Sequence, residues 1–203
     1  MYNISVFVSG RGSNLKALFN EISNSKVRIV SVVTNDPDCA AVNFAKDNNI
    51  DVYFVALKPQ DGFISFEELA EVLKKQKVEL VVLAGFLKKI SDSFVEAFPN
   101  RIINIHPALL PSFGGKGMYG INVHKAVFEK SAQVSGATIH FVDKIYDNGK
   151  IIAQKTVDIS DVEAPEEIAA KVLKIEHELL PFVVKKIAEG KLEIKNNRVY
   201  ILN

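Results

Sequence analysis

The chain has a single cysteine, Cys39, so no internal disulfide is possible, and that scarcity fits a reducing compartment. No one sign of charge dominates either. Lys and Arg number 25 against 24 Asp and Glu, for a net charge of +1. So even a balance argues against the broad basic footprint of a nucleic-acid binder. It leaves only local pairs such as Lys88-Lys89 and Lys185-Lys186. No apolar run is long enough to span a bilayer. The N-terminus opens directly on a strand-like run, so no secretory signal is expected. Repeats, low-complexity stretches and linkers are absent. No histidine pair shows an H-x-x-x-H spacing beside an acid, so no metal is expected. What remains is 48% hydrophobic and 24% charged over 203 residues. That is ordinary for a globular chain with one sizeable core, and residues 1–203 are read as a single domain in the cytoplasm.

Short β-branched runs alternate with helical spacing through the first half. Ile4 to Val8, Val27 to Val33, Asp51 to Val55, Glu79 to Leu83 and Arg101 to Ile105 read as strands. Leu15, Leu18, Phe19 and Ile22 mark an intervening helix, as do Phe66, Leu69, Ala70 and Leu73. Another runs from about Ala40 to Asp47, and Ser91 caps one containing Phe94, Val95 and Phe98. Strands alternating with helices imply a parallel sheet covered on both faces, and unbroken apolar strands agree. The expected fold class is α/β, a Rossmann-like doubly wound, mostly parallel sheet. After about residue 120 the rhythm changes. Asn122 to Glu129 reads as a helix, then Ser135 to Val142 and Ile151 to Ile159 as an antiparallel ribbon. Pro165 opens the longest helix. A hairpin over Asn196-Asn197 closes the chain. Cys39 sits in an apolar pattern with Ala40, Ala41 and Phe44, which reads as packing.

Four segments carry polar groups where chemistry is at home. Asn104-Ile105-His106-Pro107 ends a buried strand, and its amide and imidazole point the same way because strand side chains alternate. This places them at the C-terminal sheet edge, where open α/β folds bind ligands. Ser9-Gly10-Arg11-Gly12-Ser13-Asn14 joins a strand to a helix, a setting for a phosphate at a helix start. The same segment also reads as a tight turn capped by Ser13. A dinucleotide site is disfavoured, because Leu15 stands where the third glycine belongs, although Asp36 is placed to grip a ribose. In Val81 to Leu87, Gly85 ends the strand where a flat ligand could lie against backbone, with Leu87 and Ile90 in reach, or the chain simply turns. Asp147-Asn148-Gly149 is a turn whose carboxylate, if it faces His106, favours the protonated imidazole. His140 reads as a core histidine, and His124 and His177 as solvated or helix-packing residues.

Together, Gly-Arg-Gly-Ser-Asn-Leu, Val-Leu-Ala-Gly-Phe, Asn-Ile-His-Pro-Ala-Leu-Leu-Pro-Ser-Phe, Lys-Gly-Met-Tyr-Gly-Ile-Asn-Val-His and Asp-Asn-Gly resemble the phosphoribosylglycinamide formyltransferase family, in order along almost the whole chain. The resemblance implies transfer of a formyl group from 10-formyltetrahydrofolate, as co-substrate, to the amine of glycinamide ribonucleotide. It implies Asn104, His106 and Asp147 as the catalytic trio. Gly12, Ser13, Asn14 and Glu176 would contact the ribotide. Leu87, Lys88, Lys89, Ile90, Asn104, Val142 and Asp143 would line the folate site. The family's basic partner for the folate tail has no match at Asp61-Gly62-Phe63. Partners are then the two small molecules, with no nucleic acid or membrane, in a monomer or homodimer. The competing enzyme reading is a related folate formyltransferase or a 10-formyltetrahydrofolate hydrolase. A nucleotide-binding module without chemistry is the third.

Overall fold

Val, Ile and Leu runs of four to eight residues are too short for buried helices, and they become the strands. The computed structural model describes residues 1–203 and comprises two units, Met1–Ile103 and Asn104–Asn203. The first carries β1 (Tyr2–Phe7), α1 (Ser13–Ile22), β2 (Val27–Thr34), α2 (Ala40–Asp47), β3 (Asp51–Phe54), α3 (Phe66–Lys75), β4 (Leu80–Leu83) and α4 (Asp92–Ala97). β5 (Ile102–His106) crosses the boundary. The second unit continues with α5 (Ile121–Glu129), β6 (Val134–Phe141), β7 (Ile151–Asp158), α6 (Pro165–Ala188), β8 (Leu192–Lys195) and β9 (Arg198–Ile201).

The sheet has seven strands in the order β3-β2-β1-β4-β5-β6-β7, with β8-β9 as a separate ribbon. β1 runs parallel to β2 and β4, and β2 parallel to β3. Ile4, Val6, Val32, Val81 and Val82 are fully or almost fully buried, as strands covered on both faces require. The chain winds outward from β1 to β3 and then returns to place β4 on the other side of β1. That reversal is a topological switch point, the usual ligand position in an open α/β sheet.

Local signals agree with the helix boundaries. Ser91 Oγ accepts the Phe94 N–H at 3.2 Å, and Pro165 stands in the first turn of α6. In the second unit β6 and β7 are antiparallel, and α6 packs on both of them and on α5. Asn196 and Asn197 both take positive φ, 50° and 62°, which a tight hairpin turn asks of its central pair. One detail differs from the sequence expectation: α5 starts at Ile121. Cys39 lies just before α2, with extended backbone and its sulfur 3.4 Å from Thr34 Oγ1. No helix is long and apolar enough to cross a membrane.

Candidate active site

In the first unit the loops at the switch point are tied together by Ser9. Its hydroxyl donates to Asn35 Oδ1 at 2.5 Å and accepts the Leu87 N–H at 2.9 Å. The Ser9 N–H also donates to the Gly85 carbonyl at 3.0 Å. One serine thus joins the segments that follow β1, β2 and β4. Gly12 has φ 70°, and a Cβ there would stand 3.0 Å from the Ala41 Cβ. A side chain at Gly12 is therefore strained by conformation and crowded by α2. Gly12 is the residue before α1, with no side-chain cap, so Ser13 opens the helix rather than capping it. No side chain at the Gly12 position caps the start of α1, a setting in which helix N-termini bind anions. Asn14 is buried. The Asp36 carboxylate holds the Asp38 N–H at 3.1 Å and serves its own turn. Leu87 is half exposed and Ile90 buried. Lys89 pairs with Asp92 at 3.1 Å.

In the second unit the structure gathers Asn104, His106 and Asp147 around a fourth residue, His140. Asn104 and His106 leave β5 on the same side. Asn104 Nδ2 is 3.1 Å from His140 Nε2. One Asp147 oxygen lies 3.6 Å from His106 Nδ1 and the other 3.6 Å from His140 Nε2. The backbone secures this arrangement. The Gly115 N–H donates to Asp147 Oδ2 at 2.8 Å, and His106 Nε2 donates to the Phe113 carbonyl at 2.8 Å. Thr138, on β6, fixes the segment after His106. Its hydroxyl donates to the Ala108 carbonyl at 2.6 Å and accepts the Leu110 N–H at 3.0 Å.

The turn that presents Asp147 is equally constrained. Asp147 has φ 53°, a left-handed conformation that Asp tolerates better than most residues. Asp143 braces the turn by accepting the Ile145 N–H at 2.8 Å and the Asn148 amide at 3.1 Å. At Gly149 a Cβ would sit 1.7 Å from the Phe141 carbonyl oxygen, so only glycine allows the turn to close onto β6. Val142 is partly buried at its base.

Burial decides the charges. Burial pushes the Asp147 carboxyl up, but the imidazoles of His140 and His106 and the Gly115 N–H together outweigh it, leaving the group below its ordinary value and ionised. Asp147 does face His106 and does favour its protonated form, but it is not the largest influence. Burial lowers His106 most strongly, the Asp147 charge and the Phe113 carbonyl oppose it, and His140 adds to the lowering. The net direction is down, so the imidazole is neutral near pH 7. His124 is buried too, not solvated. Burial first, and the neighbouring His106 second, bring it down to about 4. Its Nδ1 has no partner within the protein.

A histidine whose pKa is depressed by folding binds its proton more readily in the unfolded chain. His124 therefore contributes stability above about pH 6.5, and that contribution is lost as the pH falls toward about 4. Urea unfolding at pH 7.5 and pH 5 checks this. The wild type is expected to lose more stability between the two than His124→Gln does. Equal losses would show that His124 is not held neutral by the fold.

Glu176 lies on α6 and is 8% exposed, an uncommon burial for a carboxylate. Among the described residues, no group of three or more His, Cys, Asp or Glu side chains is placed to hold a metal ion. Sequence reasoning missed His140, the Phe113 carbonyl and the Gly115 N–H. A histidine inside an apolar strand looks like core, and backbone groups leave no trace in residue identity.

Comparison with known proteins adds independent findings. The family model described as "Formyl transferase" matches residues 2–184. The chain is 46% identical to the chloroplastic phosphoribosylglycinamide formyltransferase of Arabidopsis thaliana, over 98% of this chain and 70% of that protein. It is 30% identical to the phosphoribosylglycinamide formyltransferase of Haemophilus influenzae, over 99% of this chain and 94% of the relative. Its fold is similar to the crystal structure of phosphoribosylglycinamide formyltransferase from Anaplasma phagocytophilum, with a TM-score of 0.89 at 33% identity, covering 100% of this chain and 95% of that one.

Proposed function

The chain belongs to the formyl transferase family, among the phosphoribosylglycinamide formyltransferases, and from that membership we propose that it transfers a formyl group from 10-formyltetrahydrofolate to the amine of glycinamide ribonucleotide, with Asn104, His106 and Asp147 carrying the chemistry. The observation that supports these roles best is the meeting of an amide, an imidazole whose proton affinity is lowered and a carboxylate whose pKa is lowered in one buried cluster.

The reaction joins the ribotide nitrogen to the formyl carbon, and the formyl oxygen becomes an oxyanion. The C=O then re-forms as the bond to the folate nitrogen breaks. The ribotide amine gives up one proton and the folate nitrogen gains one. Asn104 supplies an N–H to the oxyanion, where donors count most. His106 donates its Nε2–H to the oxyanion and gives that proton toward the leaving folate nitrogen, while the proton lost by the amine returns to the ring at Nδ1 by way of Asp147. Its Nε2–H is engaged by the Phe113 carbonyl, so donation to substrate replaces that bond. Asp147 stabilises the imidazolium that forms in passing. Correct alignment of two bound substrates supplies the rest, and no covalent enzyme intermediate is needed.

Gly12, Ser13 and Asn14, at the uncapped start of α1, hold the ribotide phosphate, and Glu176 contacts the same substrate. Leu87, Lys88, Lys89, Ile90, Asn104, Val142 and Asp143 line the folate site. The enzyme works in the cytoplasm as a monomer or homodimer without metal. Hydrogen bonds to a charged group are worth about 1.5–3 kcal/mol each. Ser13→Ala with Asn14→Ala is therefore expected to raise the ribotide KM by at least about 100-fold and leave the folate KM within about twofold. A loss confined to the folate would reverse this assignment. The function itself is tested by following loss of 10-formyltetrahydrofolate with and without glycinamide ribonucleotide. Ribotide-dependent turnover is expected. Deformylation at the same rate without the ribotide would mark a hydrolase instead.

A further inference from the structure

We infer that His140 is a positioning residue that fixes which way the Asn104 carboxamide faces, by presenting a bare Nε2 to it. The inference rests on the role proposed above for Asn104. His140 is 2% exposed in β6. Its Nδ1 lies 2.8 Å from the Phe141 carbonyl oxygen. A carbonyl oxygen only accepts, so Nδ1 carries a hydrogen. Nε2 faces two neighbours with opposite demands. Asn104 Nδ2, at 3.1 Å, is a donor and needs a lone pair there. Asp147 Oδ1, at 3.6 Å, would need a proton there. The first distance is that of a hydrogen bond and the second is beyond one. With the Asn104 nitrogen facing it, Nε2 is assigned as the acceptor of this bond and the ring hydrogen as the one on Nδ1.

The two ends of a carboxamide have nearly the same size, so packing alone does not choose between them. A partner that can only accept does choose. With Nε2 bare, the Asn104 nitrogen must face His140, and its second N–H remains for the formyl oxygen. With a proton on Nε2, Asn104 would turn its oxygen toward His140 and the donor would be misplaced. The other titratable groups facing this corner are Asp147, which approaches both histidines, and His106 across the carboxylate. The backbone hydrogen bond from Nδ1 is what keeps the available proton away from Nε2. His140 thus touches no reacting atom. It acts through Asn104, 36 residues away in sequence.

Two substitutions separate this role from simple core packing. Glutamine is long enough to bring its carbonyl oxygen to the place of Nε2. Asparagine reaches only the place of Nδ1 and leaves Asn104 without an acceptor. His140→Gln is expected to keep kcat within about fivefold, and His140→Asn to lose about 10–100-fold, the range for one misplaced hydrogen bond. Both substrates' KM values should stay within about twofold in each variant, and thermal unfolding of the two should coincide. Placing His140→Asn in an Asn104→Ala background should cost nothing further. Equal turnover in the Gln and Asn variants overturns the inference. So does an additive loss in the double variant. Nitrogen NMR of the wild-type His140 ring reads the tautomer without any substitution. A pyridine-like Nε2 is expected, and a protonated Nε2 overturns the inference even if neither variant folds. Full turnover in Asn104→Ala alone would instead defeat the role given to Asn104, while the ring spectrum would still report the tautomer.

Discussion

His106→Ala is expected to lower the turnover of formyl transfer by about 10²–10⁴-fold, the usual contribution of a positioned proton donor and acceptor. The reasoning begins with burial. His106 is 3% exposed, and desolvation lowers its proton affinity more than the Asp147 charge raises it. A neutral imidazole with its hydrogen on Nε2 can give that proton toward the leaving nitrogen and take one back at Nδ1, on the Asp147 side. A permanently charged one could only give. Asp147 remains ionised beside it, so the transient imidazolium is stabilised when it forms. The ribotide KM should change by no more than about twofold, because the imidazole is assigned to the transition state and not to substrate binding. Steady-state kinetics with each substrate varied checks both numbers. A large rise in ribotide KM with kcat intact would make His106 a binding residue.

Asn104→Ala is expected to lower kcat by about 10²–10³-fold, the cost of removing one oxyanion donor from a preorganised site. Asn104 lies on a strand, not on a mobile loop, and the segment just after it is fastened to β6 through Thr138. Its donor therefore needs little reorganisation when charge develops. Alanine leaves His140 Nε2 without its partner and the oxyanion with one donor fewer. Retention of a tenth or more of the wild-type kcat would mean that the charge is stabilised elsewhere. Pre-steady-state measurement of the chemical step guards against slow product release hiding the effect.

Much of this architecture can be read from residue order. Unbroken apolar runs such as Leu80–Leu83 announce strands buried on both faces, and the switch from β-α alternation to a long ribbon near residue 134 marks where the parallel pattern ends. Asn104 and His106, two positions apart on a strand, are predictably on one side. Asp147 is visible only as a turn; nothing local says which histidine it meets. The contact that brings His140 to Asn104 depends on tertiary pairing, and its neighbours in sequence, Ile139 and Phe141, are those of a core residue. The state of His106 fails for a related reason. A sequence shows which charges exist, whereas the cost of taking an imidazole out of water depends on how completely the chain covers it. The Phe113 carbonyl and the Gly115 N–H are backbone groups, aimed by a segment in which Phe113, Gly115 and Gly117 all take positive φ. Glycines foretell such a bend without foretelling its target.

The most direct measurement is a crystal structure with the ribotide and a non-transferable analogue of 10-formyltetrahydrofolate bound. The formyl oxygen, or the group that replaces it, is expected within about 3.2 Å of both Asn104 Nδ2 and His106 Nε2, with the Phe113 carbonyl no longer on Nε2. A formyl group bound where neither nitrogen reaches it, with the His106–Phe113 hydrogen bond intact, would contradict the assignment of the chemistry to this cluster.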